Sequence, residues 1–275
     1  MLVVNPAAGS IADGDLERLS AAFPECLVLT VGADEDFHNL LAGAALTDDA
    51  LVVAVGGDGT VGAVARVLAG SRHPFGIIPR GTFNNFARAL GIPLDFDEAL
   101  AVIQRGRPSP VTFGKVNGRP FLEAAAIGLF GEALALGEAS KDLHYGDVLD
   151  KLRNVVASHP FKYRLSGDSR RRGEARSLVV ANTPFTGARL EVGDSTPAEP
   201  YLELMVNVGM SRTDLLRRLV HALLRRPPAG HSRRAKVRKL RVETTPEMRV
   251  YADIDEAGQT PAEIEAVSAG LKVIR

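Results

Sequence analysis

Residues 51–93 read LVVAVGGDGTVGAVARVLAGSRHPFGIIPRGTFNNFARALGIP. The run 51–55 is short, apolar and β-branched, and it ends in the turn Gly56-Gly57-Asp58-Gly59-Thr60. A helical pattern follows at 61–69, then a second strand-like run at 75–78 and a second glycine-bearing turn. Strand, tight turn, helix and strand make a βαβ unit, and a chain that repeats it builds a parallel sheet with helices on its faces.

Outward from this stretch the same alternation continues. On the N-terminal side, 2–4 and 26–31 read as strands and 15–23 and 35–46 as helices. On the other side, Gly91-Ile92-Pro93 turns the chain into a helix at 97–104. Residues 1–108 are therefore expected to form a doubly wound α/β domain. The linker RGRPSP at 105–110 closes it. Beyond it, 111–116 and 119–124 flank Asn117-Gly118, a pair that supplies the positive φ angles of a tight hairpin turn. Further strands are expected at 177–181, 201–208, 236–243, 248–252 and 270–274, so 109–275 reads as a β-rich, sandwich-like domain. Within it, Ser211 and Asp214 open an amphipathic helix that Pro227 and Pro228 end. Arg170 to Arg172 reads as an exposed loop.

Composition agrees with two folded domains. The 275 residues are 45% hydrophobic and 24% charged, which excludes disordered and collagen-like chains. The start, MLVVNPAAGS, has no basic leader, and the longest apolar runs have strand length, so a cytoplasmic protein is expected. The single cysteine, Cys26, excludes an internal disulfide and reads as a buried structural thiol. The six histidines are scattered without zinc-site spacing.

Three turns follow strands of the first domain: 5–10, 56–60 and 79–88. At the carboxyl edge of an open parallel sheet such turns meet at one crevice, where ligands bind. Gly56, Gly57 and Gly59 let backbone N–H groups approach phosphate oxygens, and the helix that follows adds its N-terminal dipole. Gly57, Gly59 and Gly62 also satisfy GxGxxG, yet that motif expects a ribose-binding acid ~20 residues on. No acid occurs from Thr60 to Leu94, whereas Arg66, Arg72, Arg80 and Arg88 do, which suits a polyphosphate. No GxxxxGK[ST] run is present.

Together NPAAG at 5–9, GGDGT at 56–60 and PRGTFNNFARALGIP at 79–93 resemble the diacylglycerol kinase catalytic domain family, which includes bacterial lipid kinases and sphingosine kinases. The resemblance covers nearly the whole chain; GGDGT is shared with NAD kinases and resembles phosphofructokinases, and the third run is the diagnostic one. It implies an N-terminal fold similar to those enzymes, with room for the last strand to return to the first domain. It places Asn5, Pro6, Gly9, Gly56, Gly57, Asp58, Gly59, Thr60, Gly81, Thr82 and Asn84 around ATP. Asp58 would lie at the Mg²⁺–phosphate cluster, as metal ligand and catalytic residue. Many relatives carry Asp where this chain has Asn85.

The family's DGE motif, whose Asp serves as base, matches VYADIDEAGQTP at 250–261. Asp253 takes the Asp position and Ile254 the Gly position, with Asp255 and Glu256 as alternative acids. A DG pair that contributes to a structural Mg²⁺ site in some relatives is replaced by Glu199-Pro200, so that site is expected to be absent or altered. The implied activity is an ATP-dependent lipid kinase of phospholipid metabolism, moving the γ-phosphate in line to the hydroxyl of diacylglycerol or a related lipid alcohol. The alternatives are an NAD kinase-like enzyme and a non-catalytic nucleotide- or lipid-binding homologue.

Residues 212–241 hold eleven Lys/Arg and one acid, Asp214. This stretch reads either as a solvated basic face or as a transient contact with anionic membrane headgroups. It contains no aromatic residue to stack on bases, so nucleic acid is not expected as a partner. A homodimer stays open.

Overall fold

The structure is a computed structural model that describes residues 1–5, 14–30, 50–132, 160–187, 189–207 and 233–275. The expected helices at 35–46 and 211–226 lie outside the described residues. The chain divides into two compact units, Met1–Val111 with Ala269–Arg275, and Thr112–Ser268.

In the first unit, strands β1 (Leu2–Val4), β2 (Val28–Thr30), β3 (Val52–Gly56) and β4 (Pro74–Pro79) pair in parallel in the order β2-β1-β3-β4. Between and after them lie helices α1 (Asp15–Ala22), α2 (Asp58–Leu68), α3 (Asn85–Ala89) and α4 (Phe96–Arg105). Every residue of β1 and β3 is buried. A parallel strand is covered on both faces, so it reads as a continuous apolar run rather than an alternation. Leu2, Val4, Val53, Val55 and Ile78 join Leu19 of α1 and Phe96, Ala99 and Ile103 of α4 in one cluster. Cys26 is half-buried against that cluster. Each fully buried Val, Leu, Ile or Phe side chain of the cluster contributes about 1.5–3 kcal/mol by leaving water.

Helix α4 shows why its sequence folds locally. Asp95 caps it by accepting the backbone N–H groups of Asp97 and Glu98 at 2.9 and 3.1 Å, while Asp97 and Glu98 themselves favour the positive end of the dipole. Helix α2 starts at Asp58, three residues before the expected start at 61, because periodicity becomes visible only with the first apolar residue, Val61. Helix α3 has five residues and too few apolar positions to announce itself by period.

In the second unit β5 (Pro108–Val116), which crosses the boundary at Val111, forms a hairpin with β6 (Arg119–Phe121) through Asn117 and Gly118, at φ 51° and 80°. The remaining strands are β7 (Ala124–Gly128), β8 (Phe161–Gly167), β9 (Arg171–Ala175), β10 (Ser177–Ala181), β11 (Phe185–Thr186), β12 (Leu190–Glu191), β13 (Leu202–Asn207), β14 (Arg233–Val237), β15 (Lys239–Thr245), β16 (Arg249–Ala252), β17 (Asp255–Gln259) and β18 (Ala262–Ile274). One antiparallel sheet runs β14-β13-β10-β7-β16-β17, and in the other β15 pairs with β8 and with the first residues of β18, while β9 forms the edge. Ile127, Leu178, Val180, Leu204 and Val250 of the first sheet meet Phe161, Leu165, Leu240, Val242 and Ile264 of the second in a shared core, the arrangement of a β-sandwich. The last residues of β18 belong to the first unit, where Lys272 and Val273 pair in parallel with Pro74 and Phe75.

Three expectations change here. The hairpin strand expected over 119–124 ends at Phe121, and a bend at Leu122 and Glu123 carries the chain into β7 of the other sheet. The strand expected over 236–243 is two strands, β14 and β15, in different sheets. Asp168 accepts the N–H groups of Arg238 and Lys239 at 2.7 and 3.0 Å where the chain changes sheet, and these bonds hold its carboxyl below the usual range. Arg171 and Arg172 lie on the edge strand β9 rather than in a loop, since charged residues suit an unpaired edge.

Candidate active site

The first unit builds its site from backbone. Thr60 is buried just inside α2, and its Oγ1 accepts from Nδ2 of Asn5 at 3.3 Å, while Asn5 N donates to Val55 O at 3.3 Å. This joins the end of β1 to the turn after β3. The turn after β4 is drawn in by Arg80 N, which donates to Gly56 O at 2.8 Å. A Cβ on Gly57 would lie 2.9 Å from the Cα of Gly81, and one on Gly81 would lie 2.4 Å from the Cα of Gly57. The two turns can touch only as glycines.

Around that contact, Asn84 holds the second turn with its side chain. Its Oδ1 accepts from Gly81 N at 2.9 Å and its Nδ2 donates to Gly81 O at 2.7 Å, with its own backbone in the left-handed region at φ 52°. Asp58, half-buried at the start of α2, accepts from Phe86 N at 3.4 Å. Helix α2 has Gly57 as its N-cap and no side-chain cap, so its first N–H groups face an anion-suited terminus. A Cβ on Gly59 would meet nothing within 4 Å, and Thr82 is exposed. Asn5, Gly56, Gly57, Asp58, Gly59, Thr60, Gly81, Thr82 and Asn84 thus all fall on these turns, whereas Pro6 and Gly9 lie outside the described residues.

The arginines of this stretch behave differently from one another. Arg80 Nη2 pairs with buried Asp15 Oδ2 at 2.5 Å and stacks over Phe96 at 4.8 Å, so its head serves the interior of the unit. Arg88 Nε donates to Phe83 O at 2.9 Å.

In the second unit Asp253 is the first residue of the turn between β16 and β17 and has φ 55°. Asp tolerates that region better than most residues, and Ile254 has no positive φ, which is why an isoleucine can stand where the resemblance has glycine. The Asp253 carboxylate accepts three backbone bonds, from Leu122 N at 3.0 Å, Glu123 N at 2.8 Å and Ala124 N at 3.2 Å. Asp255 pairs with Arg119 at 3.3 Å, and exposed Glu256 lies 4.0 Å from Arg249. Beside Asp253 lie buried Glu123, Asn182 and Thr183, which motif reading passed over. Their signal was the polar residues inside apolar strand patterns, Glu123 before AAAI and Asn182-Thr183 after LVVA.

Glu199 accepts from Thr196 N at 3.0 Å and from the Tyr201 hydroxyl, with Lys236 Nζ 3.8 Å away; these donors hold its carboxyl low despite partial burial. Arg234 pairs with Glu191, Asp194 and Glu203, and Arg241 with Glu243 and Glu263. Three described cations of the basic stretch, Arg234, Lys236 and Arg241, are thus paired with acids. Among the described residues no group of three or more His, Cys, Asp or Glu could hold a metal alone, and no helix is long and apolar enough to cross a membrane.

The diacylglycerol kinase catalytic domain model matches residues 1–116. A diacylglycerol kinase of Mycobacterium tuberculosis (strain ATCC 25618 / H37Rv) is 30% identical over 98% of this chain and 91% of its own length. The chain belongs to the diacylglycerol kinase family. A solved diacylglycerol kinase from Bacillus anthracis str. Sterne is similar over 99% of this chain and 95% of its own, with 27% identity and a TM-score of 0.75. An NAD kinase from Archaeoglobus fulgidus, solved in complex with ATP, has 16% identity and a TM-score of 0.54 over 100% of this chain and 92% of its own. That second likeness is one of fold. Membership of the diacylglycerol kinase family makes the chain's activity class that of a kinase, on the α/β plus β-rich fold expected from its sequence.

Proposed function

We propose that this kinase is an ATP-dependent lipid kinase that moves the γ-phosphate onto the hydroxyl of diacylglycerol or a related lipid alcohol. The observation that carries the reading is the mutual approach of Gly57 and Gly81 beside the uncapped start of α2. Bare backbone there leaves N–H groups and helix dipole for phosphate oxygens, and Asn5, Thr60 and Asn84 hold the turns in place. The charge neutralisation that Mg²⁺ supplies with a nucleotide would be anchored on Asp58, because Mg²⁺ is commonly held by one or two carboxylates together with substrate phosphates. Asp253 is the proposed base, fixed in one orientation by three N–H groups, and Asp255 is the alternative. The transfer is direct and in line, without a phosphoenzyme. We place the enzyme in the cytoplasm, meeting its lipid at a membrane surface.

A second reading, a homologue that binds nucleotide or lipid without turnover, is favoured by one observation. The Asp253 carboxylate is engaged at both oxygens by backbone, as a purely structural turn would have it. Incubation with γ-labelled ATP, Mg²⁺ and a panel of micellar lipid alcohols, beside an NAD control, separates the readings. Labelled lipid that fades in Asp58→Asn and Asp253→Asn supports the kinase and its base. ATP binding with no labelled lipid supports the second reading, and labelled NAD would overturn both.

A further inference from the structure

We infer that Glu123 is a positioning residue for Asp253, which rests on the reading of Asp253 as the base. Glu123 is only 7% exposed, yet it lies in the bend between two strands where an apolar residue would pack at lower cost. Every polar group it has on the bend is engaged. Its N–H donates to Asp253 Oδ1 at 2.8 Å, its carbonyl accepts from Asn182 N at 2.8 Å and Thr183 N at 3.3 Å, and its Oε2 accepts from Gly187 N at 3.0 Å.

Two carboxylates therefore stand in series through one residue. The Glu123 side chain is anchored on the turn after β11, and its backbone points three consecutive N–H groups, those of 122 to 124, at Asp253. The neighbouring peptide is locked as well, because Asn182 Nδ2 donates to Leu122 O at 2.8 Å and to Thr112 O at 3.0 Å. Asn182 and Thr183 are both 0% exposed. Hydrogen bonds buried in this way are strengthened by the low local dielectric and rigidify the peptides they join. Here the rigidity falls on the peptides that aim the Asp253 carboxylate.

The test compares the full-length protein with Glu123→Ala, Glu123→Gln and Glu123→Asp. Glutamine keeps a neutral oxygen for Gly187 N–H, whereas aspartate is one methylene too short to reach it. Steady-state kinetics with ATP and the accepted lipid are read beside hydrogen exchange at the amides of 122 to 124. The expected result is a kcat lowered by about 10²-fold in Glu123→Ala and Glu123→Asp, at little changed KM for either substrate. Glu123→Gln should recover most of that loss, and exchange at 122 to 124 should accelerate only in the first two. Wild-type kcat in folded Glu123→Ala, or a loss that glutamine leaves unrepaired, would overturn the inference. Should the wild-type enzyme phosphorylate no lipid, the functional reading fails by itself. In that case unchanged exchange at 122 to 124 in Glu123→Asp sinks the positioning role, and accelerated exchange sustains it.

Discussion

The first unit makes its candidate site by removing side chains, and the second makes its own by burying polar ones. In the first, Gly57 and Gly81 let two turns meet, and the groups offered to a ligand are N–H groups of a helix start. In the second, Glu123, Asn182, Thr183 and Asp253 gather around one bend, where side-chain atoms aim the backbone and backbone aims a carboxylate. Phosphate asks for many small donors at short range, which bare backbone supplies. The base proposed at Asp253 needs one group held in one direction, which buried hydrogen bonds to backbone supply. The two units should therefore fail in opposite ways when altered.

The largest effect is expected at the glycine contact. Gly81→Val puts atoms inside the Gly57 backbone, where even a Cβ sits at 2.4 Å from Cα, so ATP affinity should fall by more than about 10²-fold, a loss of roughly 3 kcal/mol. Titration with a fluorescent ATP analogue checks this. Normal binding by Gly81→Val would break the comparison on its first side. On the other side, Asn182→Ala strips donors from two buried carbonyls and should cost about 2–3 kcal/mol in urea unfolding. A stability unchanged by that substitution would mean that the second site is not held by its polar side chains.

Smaller effects sharpen the contrast. Asp95→Ala removes the α4 cap and should cost about 1 kcal/mol without altering ATP binding, because the cap's side chain bonds the N–H groups of Asp97 and Glu98 within α4. The smallest is at Asp168, whose exposed carboxyl has a lowered pKa because it accepts the N–H groups of Arg238 and Lys239. A folded-state pKa below the unfolded one gives stability that is present above the unfolded carboxylate range and is lost as pH falls through the folded value. The stability gap between wild type and Asp168→Ala should therefore be slight at neutral pH and close in acid. Thermal melts along a pH series read it, and a gap that widens in acid would contradict the assigned hydrogen bonds.

Much of the first site was legible. Strand, glycine turn and helix are set by residues within a few positions of one another, so 51–60 and 79–84 could be placed from their order alone. The Asn117-Gly118 hairpin was legible for the same reason, since its two positive φ angles belong to adjacent residues. The partner of Arg80 was not, because Asp15 lies 65 residues away and nothing in either neighbourhood names the other. Nor was the break at Arg238, which depends on Asp168 arriving from 70 residues off.

The sequence by itself determined the order of strands and helices in the first unit, the glycine turns with Asp58 among them, and the family to which those turns belong. These depend on local backbone preference and periodicity, which any neighbouring residues reveal. Tertiary structure alone decided that the three amides gripping Asp253 come from 122 to 124, some 129 to 131 residues earlier in the chain, and that Glu123 stands behind them. The register of β16 on β7 brings those atoms together, and a register is a property of paired strands that no single stretch of sequence contains.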